Sequence, residues 1–234
     1  MDQLKLSKIQ IALYFDKTQL KDNDFFKEKM TELGFEENAG IKLPSNNLSE
    51  NISHIIWQKS DLVLQVSQIR LDIINQNLEN GTETYEVHIE KCLEQIGIIC
   101  EIFSNQKVDI NRLGFVFSYI LMIKDSNVFN IILKEIQNKF ITDKKRKENI
   151  QIFNLVIQEK INNFVDNTNI QCLEAEMTTN DENGLVEKKP IKLIGVAKDF
   201  VFKEEKIYEK NTILNNFKVV SELCTQEKIN EILQ

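Results

Sequence analysis

Ile9, Ile11, Leu13 and Phe15 fall on every second residue of the segment 8–15, and this period of two restricts the fold more than any other feature. A helix turns every 3.6 residues and would scatter such a set; an extended strand gathers it on one face. The same period runs through Asp61–Ile74, where Leu62, Leu64 and Val66 alternate and Ile69, Leu71 and Ile73 resume one residue out of phase. The slip at Ser67-Gln68 predicts a bulge that switches the buried face. Asn51–Gln58, with Ile52, Ile55, Ile56 and Trp57, predicts a partner strand joined through a tight turn at Lys59-Ser60. Leu113–Ile123 is an almost unbroken apolar run with two phenylalanines and a tyrosine, the pattern of a central strand.

Helical spacing takes over between these segments. Phe25, Phe26, Met30 and Leu33 follow the capping candidates Asp22 and Asp24, and Gly34 supplies a left-handed stop. Tyr85, Ile89, Leu93, Ile96, Cys100 and Phe103 form the clearest apolar stripe, on a helix from about residue 83 to 104 capped by Thr82 or Thr84. Phe129, Leu133, Ile136 and Phe140 mark another, capped by Asp125 or Ser126. The C-terminal part predicts strands at 150–164, 168–177 and 191–202. Turns are expected at Val165-Asp166-Asn167 and at Asn180–Gly184, with a last helix over 211–233. Residues 36–50, polar and containing Pro44, read as a loop.

Strands that follow strands, with helices interspersed, point to an α+β fold. The expected architecture is a largely antiparallel, or mixed, sheet with helices packed on one face. The first half has the strand–helix–strand–strand–helix–strand order of a ferredoxin-like unit, and the second half extends its sheet as a long meander. No linker composition interrupts the 234 residues. One domain, 1–234, is expected, with a two-lobed split near 141–149 as the alternative.

Glycine (7) and proline (2) are scarce, against about 16 and 12 for average usage. A phosphate-cradling loop needs glycines where the backbone approaches the anion, so that chemistry is disfavoured. The formal charge of −7 makes direct nucleic-acid binding a poor expectation. The one dense basic run, Lys144–Lys147, reads as a solvated loop. Cysteines 92, 100, 172 and 224 form no close pair, which disfavours structural zinc, and they fit free thiols in a cytoplasmic setting. No signal peptide, membrane span, metal or cofactor is expected.

Few residues offer chemistry. His54 and His88 are the only imidazoles, and neither lies in a catalytic motif. Glu174 and Glu176 stand two apart on a predicted strand, so both carboxylates share a face. With Lys192 or Lys198 from the next strand they form the one arrangement that suggests a metal-dependent nuclease. The competing reading makes them the solvent face opposite Leu173, Ala175 and Met177. Trp57 and Arg70 are the candidate binding residues: Trp57 because tryptophan concentrates at interface hot spots, although a core role suits it too. Arg70 and Asp72, two apart on a strand, also read as solvent-facing neighbours.

Two stretches carry a family resemblance. They are Leu64-Gln65-Val66-Ser67-Gln68-Ile69-Arg70-Leu71, with Asn75 beyond, and Asn111-Arg112-Leu113-Gly114-Phe115 leading to Tyr119-Ile120. The chain resembles a sporadically distributed bacterial family of uncharacterised proteins. In that family a "Q-V-S-x-x-R-L" strand precedes a long helix and an "R-L-G" strand follows it. Where the family continues with Arg-Tyr-x-Asn, this chain has Val116-Phe117-Ser118-Tyr119. The resemblance implies a strand-rich second half with a C-terminal helix, and a mobile-element or phage-defence setting. The expected function is a non-catalytic protein–protein interaction module, an adaptor, sensor or inhibitor whose partner is another protein. The alternatives are a metal-dependent nuclease-like enzyme with a dispersed acidic site, or an acidic inhibitor of a nucleic-acid enzyme.

Overall fold

The period-two segments pair into one antiparallel sheet. In the computed structural model, which describes residues 4–16, 24–44, 51–123, 125–140, 153–161, 163–180, 186–203, 205 and 207–233, the strands are β1 (Lys5–Phe15), β2 (Glu36–Pro44), β3 (Asn51–Lys59), β4 (Leu62–Val66), β5 (Arg70–Asn75), β6 (Ile110–Ile123), β7 (Phe153–Ile161), β8 (Phe164–Asn180) and β9 (Val186–Phe202). Their order across the sheet is β2-β3-β4-β5-β1-β6-β9-β8-β7. The helices are α1 (Asp24–Glu32), α2 (Tyr85–Asn105), α3 (Ser126–Phe140), α4 (Lys210–Leu223) and α5 (Gln226–Leu233). Among the described residues no helix is long and apolar enough to cross a membrane.

The ferredoxin-like unit is present, and it occurs twice. β1, α1, β4, β5, α2 and β6 give the spatial order β6-β1-β5-β4, with β1 and β4 parallel across the intervening β5. β6, α3, β8, β9 and α4 repeat the arrangement, with β1 in the place of the fourth strand. Each half therefore lends its first strand to the other, and the β1–β6 ladder is the seam. That seam, together with the β6–β9 ladder, runs the sheet through strands from both sides of residues 141–149, which themselves lie outside the described residues.

One face of the sheet is the core. Trp57, Leu64, Ile73, Ile11, Phe115 and Phe200 pair in register straight across six strands, and all are buried. Side chains of this size each contribute about 1.5–3 kcal/mol when removed from water. The helices cover this row. α2 sets Phe103 edge-on against Phe15 at 5.3 Å, and α4 sets Phe217 against Phe115 and Phe117 at 5.5 and 5.8 Å. α3 carries Phe129 to within 4.9 Å of Lys192 Nζ. Leu33 and Phe35, at the end of α1, face Leu64 and Ile98 on the same side. Among the described residues no helix packs on the other face.

Local signals behave as their chemistry requires. Gly34 ends α1 at φ 79°. Asp125 Oδ1 accepts from the Asn127 amide at 2.7 Å and caps α3.

Five expectations change. Part of the expected loop 36–50 is strand β2, because a polar edge strand needs no apolar period. The phase slip at Ser67-Gln68 is a chain reversal and not a bulge: β4 and β5 are separate strands, and Ser67 N and Oγ both donate to the Arg70 carbonyl across the turn. The turn between β3 and β4 falls at Ser60-Asp61, with Lys59 opposite Leu62 and Ser60 at φ 52°. Val165-Asp166-Asn167 is strand, the reversal lying instead between Ile161 and Phe164. The last helix breaks at Cys224-Thr225 into α4 and α5. The turn expected at 180–184 falls, beyond Asn180, outside the described residues.

Candidate functional site: the uncovered face of the sheet

Alternation on each strand sends one set of side chains into the core and the other to the face without helices. On that second face Ile56, Gln65, Asp72, Ala12, Gly114, Val201, Val165 and Lys160 pair in one row from β3 to β7. The row beside it holds Arg70, Tyr14 and Arg112 in register on β5, β1 and β6. Both guanidiniums lie on the tyrosine, with Cζ atoms 4.9 Å (Arg70) and 5.2 Å (Arg112) from the ring centroid. Such contacts favour a cation by about 0.5–1 kcal/mol at exposed sites.

Two carboxylates flank this stack. Asp72 Oδ1 accepts from Arg70 Nη2 at 2.6 Å and from Gln10 Nε2 at 3.0 Å. Burial works against the Arg70 charge, but the hydrogen bond and charge of Asp72 outweigh it and hold its pKa above the ordinary value. Arg70 Nε is buried and has no hydrogen-bond partner. Asp199, on β9, has its pKa pushed up by burial, against the pull of Asn167 and of the Arg70 and Arg112 charges. Arg112 is exposed. The cluster thus presents one cation tied to a carboxylate, one exposed cation on the tyrosine ring, and a carboxylate that burial makes more basic. Groups of these kinds recognise polar and aromatic surfaces.

Farther along β6, roughly 30 Å from Arg112 at the usual strand rise, the face turns apolar. Met122, Leu193 and Leu173 pair side by side on β6, β9 and β8. Met122 is 43% exposed and Leu173 39%.

The structure places the residues singled out from sequence as follows. Arg70 is in the cluster. Trp57 is 3% exposed and sits in the core row, its packing role. Asp72, expected toward solvent, is buried beneath Arg70 and Gln10, because those two longer side chains close over it. The β8–β9 ladder sets Glu174 opposite Lys192 and Glu176 opposite Pro190; the glutamate side chains lie outside the described residues. Lys192 lies over Phe129, and Lys198 is held by Asp166 and Thr168 at 2.7 and 2.8 Å. Leu173 is exposed and Cys172 buried, so the core face of β8 is the one opposite to that expected. Among the described residues no cluster of His, Cys, Asp and Glu could hold a metal ion.

His88 is buried on α2 beside Glu83, and burial lowers its pKa. His54 lies on β3, its side chain outside the described residues, as is the run 144–147. All four thiols are buried and free. Tyr14, Arg112 and Asp199 were missed from sequence. Only the parity of Tyr14 against Ile9, Ile11, Leu13 and Phe15 signalled that it leaves the core face. No protein-family model matches the chain, and no curated protein matches it.

Proposed function

We propose that this chain is a protein-binding module, an adaptor, sensor or inhibitor, which docks another protein on the helix-free face of its sheet. The observation that carries this reading is the Arg70–Tyr14–Arg112 row on that face. Arginine and tyrosine are the residue types that concentrate binding energy at interfaces. The apolar row Met122–Leu193–Leu173, on the same face, adds area of the kind a protein partner covers. The partner is a protein whose surface offers a carboxylate to Arg112 and apolar side chains to the far corner.

The test is co-purification from the native host with the wild-type chain and with Arg112→Glu. The exposed position keeps the fold intact, checked by a melting temperature lowered by no more than a few degrees for the lost contact with Tyr14. A stoichiometric partner retained by the wild type and lost by Arg112→Glu supports the reading. A wild-type chain that retains nothing, or a partner indifferent to Arg112→Glu, overturns it.

A further inference from the structure

The sheet ends in β2 on one side and β7 on the other. β2 carries the features that keep an edge from pairing further. It has Pro44, which lacks an N–H, a register break between Asn38 and Ile41, and the charges Glu36, Glu37 and Lys42. β7 has none of these over Asn154-Leu155-Val156-Ile157-Gln158, which pairs with β8 in unbroken register; its charges, Glu159 and Lys160, stand at the hairpin end. Val156 is 59% exposed. Register also fixes which backbone groups of β7 are free. The Lys203 amide donates to the Asn163 carbonyl at 3.1 Å, so the odd residues of β8 bond to β9 and the even ones to β7. Thr168 and Ile170 therefore bond to Ile157 and Leu155. Asn154, Val156 and Gln158 turn their N–H and C=O groups outward, and among the described residues no strand pairs with them.

We infer that β7 pairs with β7 of a second copy of this chain, antiparallel about a two-fold axis through Val156, so that two sheets continue as one. Outward donors and acceptors at strand spacing fit one kind of partner, another extended strand. The side chains select which strand. Outward-facing residues must oppose one another, and an axis at Val156 sets Val156 against its own copy and Asn154 against Gln158. On the core side the same register sets Leu155 against Ile157. Aliphatic thus meets aliphatic and amide meets amide, the pairings that stabilise neighbouring strands. An axis at Ile157 would put Leu155 against Glu159, and one at Gln158 would put Val156 against Lys160 and Ile157 against Glu159. Both oppose an aliphatic side chain to a charge. The blunted β2 edge, left at each end of the joined sheet, stops the assembly at two copies. Pairing over so short a stretch buries less than a standard interface, so the dimer dissociates in the micromolar range.

The test is sedimentation equilibrium of the full chain from low to high micromolar concentration, which should show monomer and dimer in exchange. Val156→Lys sets two ammonium groups opposite each other across the axis and should weaken the dimer roughly tenfold or more. The position is exposed, so the variant folds, as its circular dichroism will show. Ile131→Lys, at a site 57% exposed on α3, is the control and should leave the dimer unchanged. Crosslinking reads the register. Val156→Cys should form a disulfide with its own copy when diamide oxidises the two thiols, whereas Asn154→Cys stands about 13 Å from its copy and should not. The four native thiols are buried and stay out of the reaction. A monomer at every concentration, a dimer indifferent to Val156→Lys, or Asn154→Cys crosslinking as fast as Val156→Cys overturns the inference. The docking reading fails separately, because strands β9 and β8 lie between β7 and the Arg112 row and Arg112→Glu should leave the dimer intact.

Discussion

Arg70 and Asp72 stand two residues apart on β5 and meet at 2.6 Å, with the carboxylate side chain 4% exposed and the arginine 32%. The acid is therefore desolvated on a face that no described helix covers, and its two bonds, from Arg70 and Gln10, keep it there. Removing Asp72 leaves a partly buried guanidinium without its carboxylate. Asp72→Ala should lower the unfolding free energy by about 2 kcal/mol, below the range for fully buried pairs because Arg70 retains water. Urea denaturation measures it, and a loss under ~0.5 kcal/mol would show that the pair is only a surface contact.

Asp166 and Lys198 form the matching pair on the core face, with side chains 7% and 13% exposed. Asp166→Ala strands a buried ammonium and should destabilise by about 3 kcal/mol. Asp166→Leu combined with Lys198→Met should recover most of that loss, since an apolar pair needs no desolvation of charge. If the double variant is no more stable than the single one, the pair has a positional role that apolar packing cannot replace.

Buried thiols predict alkaline sensitivity. Burial pushes Cys92 up to about 12, and Cys100 and Cys172 to about 11, from an ordinary 9. Between pH 9 and 11 the unfolded chain releases protons that the folded chain keeps. The stabilisation is therefore complete below pH 9 and falls as pH rises, by about 1 kcal/mol per thiol at pH 10. Urea midpoints at pH 8 and pH 10 should separate accordingly, and Cys92→Ala should narrow the gap. Below pH 9 a thiol reagent should modify the cysteines only after unfolding.

Two turn positions carry opposite predictions. Gly34 adopts φ 79°, and Gly34→Ala should cost about 1 kcal/mol. Ser60 adopts φ 52° with a side chain that gains nothing from it, and Ser60→Gly should be neutral or stabilising by up to ~1 kcal/mol. Thermal denaturation of both variants gives the signs directly.

Where an element buries a continuous face, the sequence carried its position. β1, β6, α2 and α3 follow from Ile9 to Phe15, Leu113 to Ile123, Tyr85 to Phe103 and Phe129 to Phe140. β2 escaped because an edge strand is held by backbone hydrogen bonds, which leave no apolar period to read. Leu62 to Val66 and Leu71 to Ile73 were legible as extended, but phase alone does not distinguish a bulge from a reversal. The candidate site was legible only in Arg70. Tyr14, Arg112 and Asp199 come from three strands, and Asp199 lies more than eighty residues from the nearest of the others; register, not spacing, brings them together.

The exchange of first strands across the β1–β6 seam has a practical corollary. A chain cut near Gln106, between α2 and β6, would yield two pieces, each missing the strand that closes its own inner edge. Neither piece alone could shield that edge from water. Mixed, they should find one another as the subunits of an obligate heterodimer do, so that a single break in the backbone would turn a folding reaction into an assembly reaction governed by concentration.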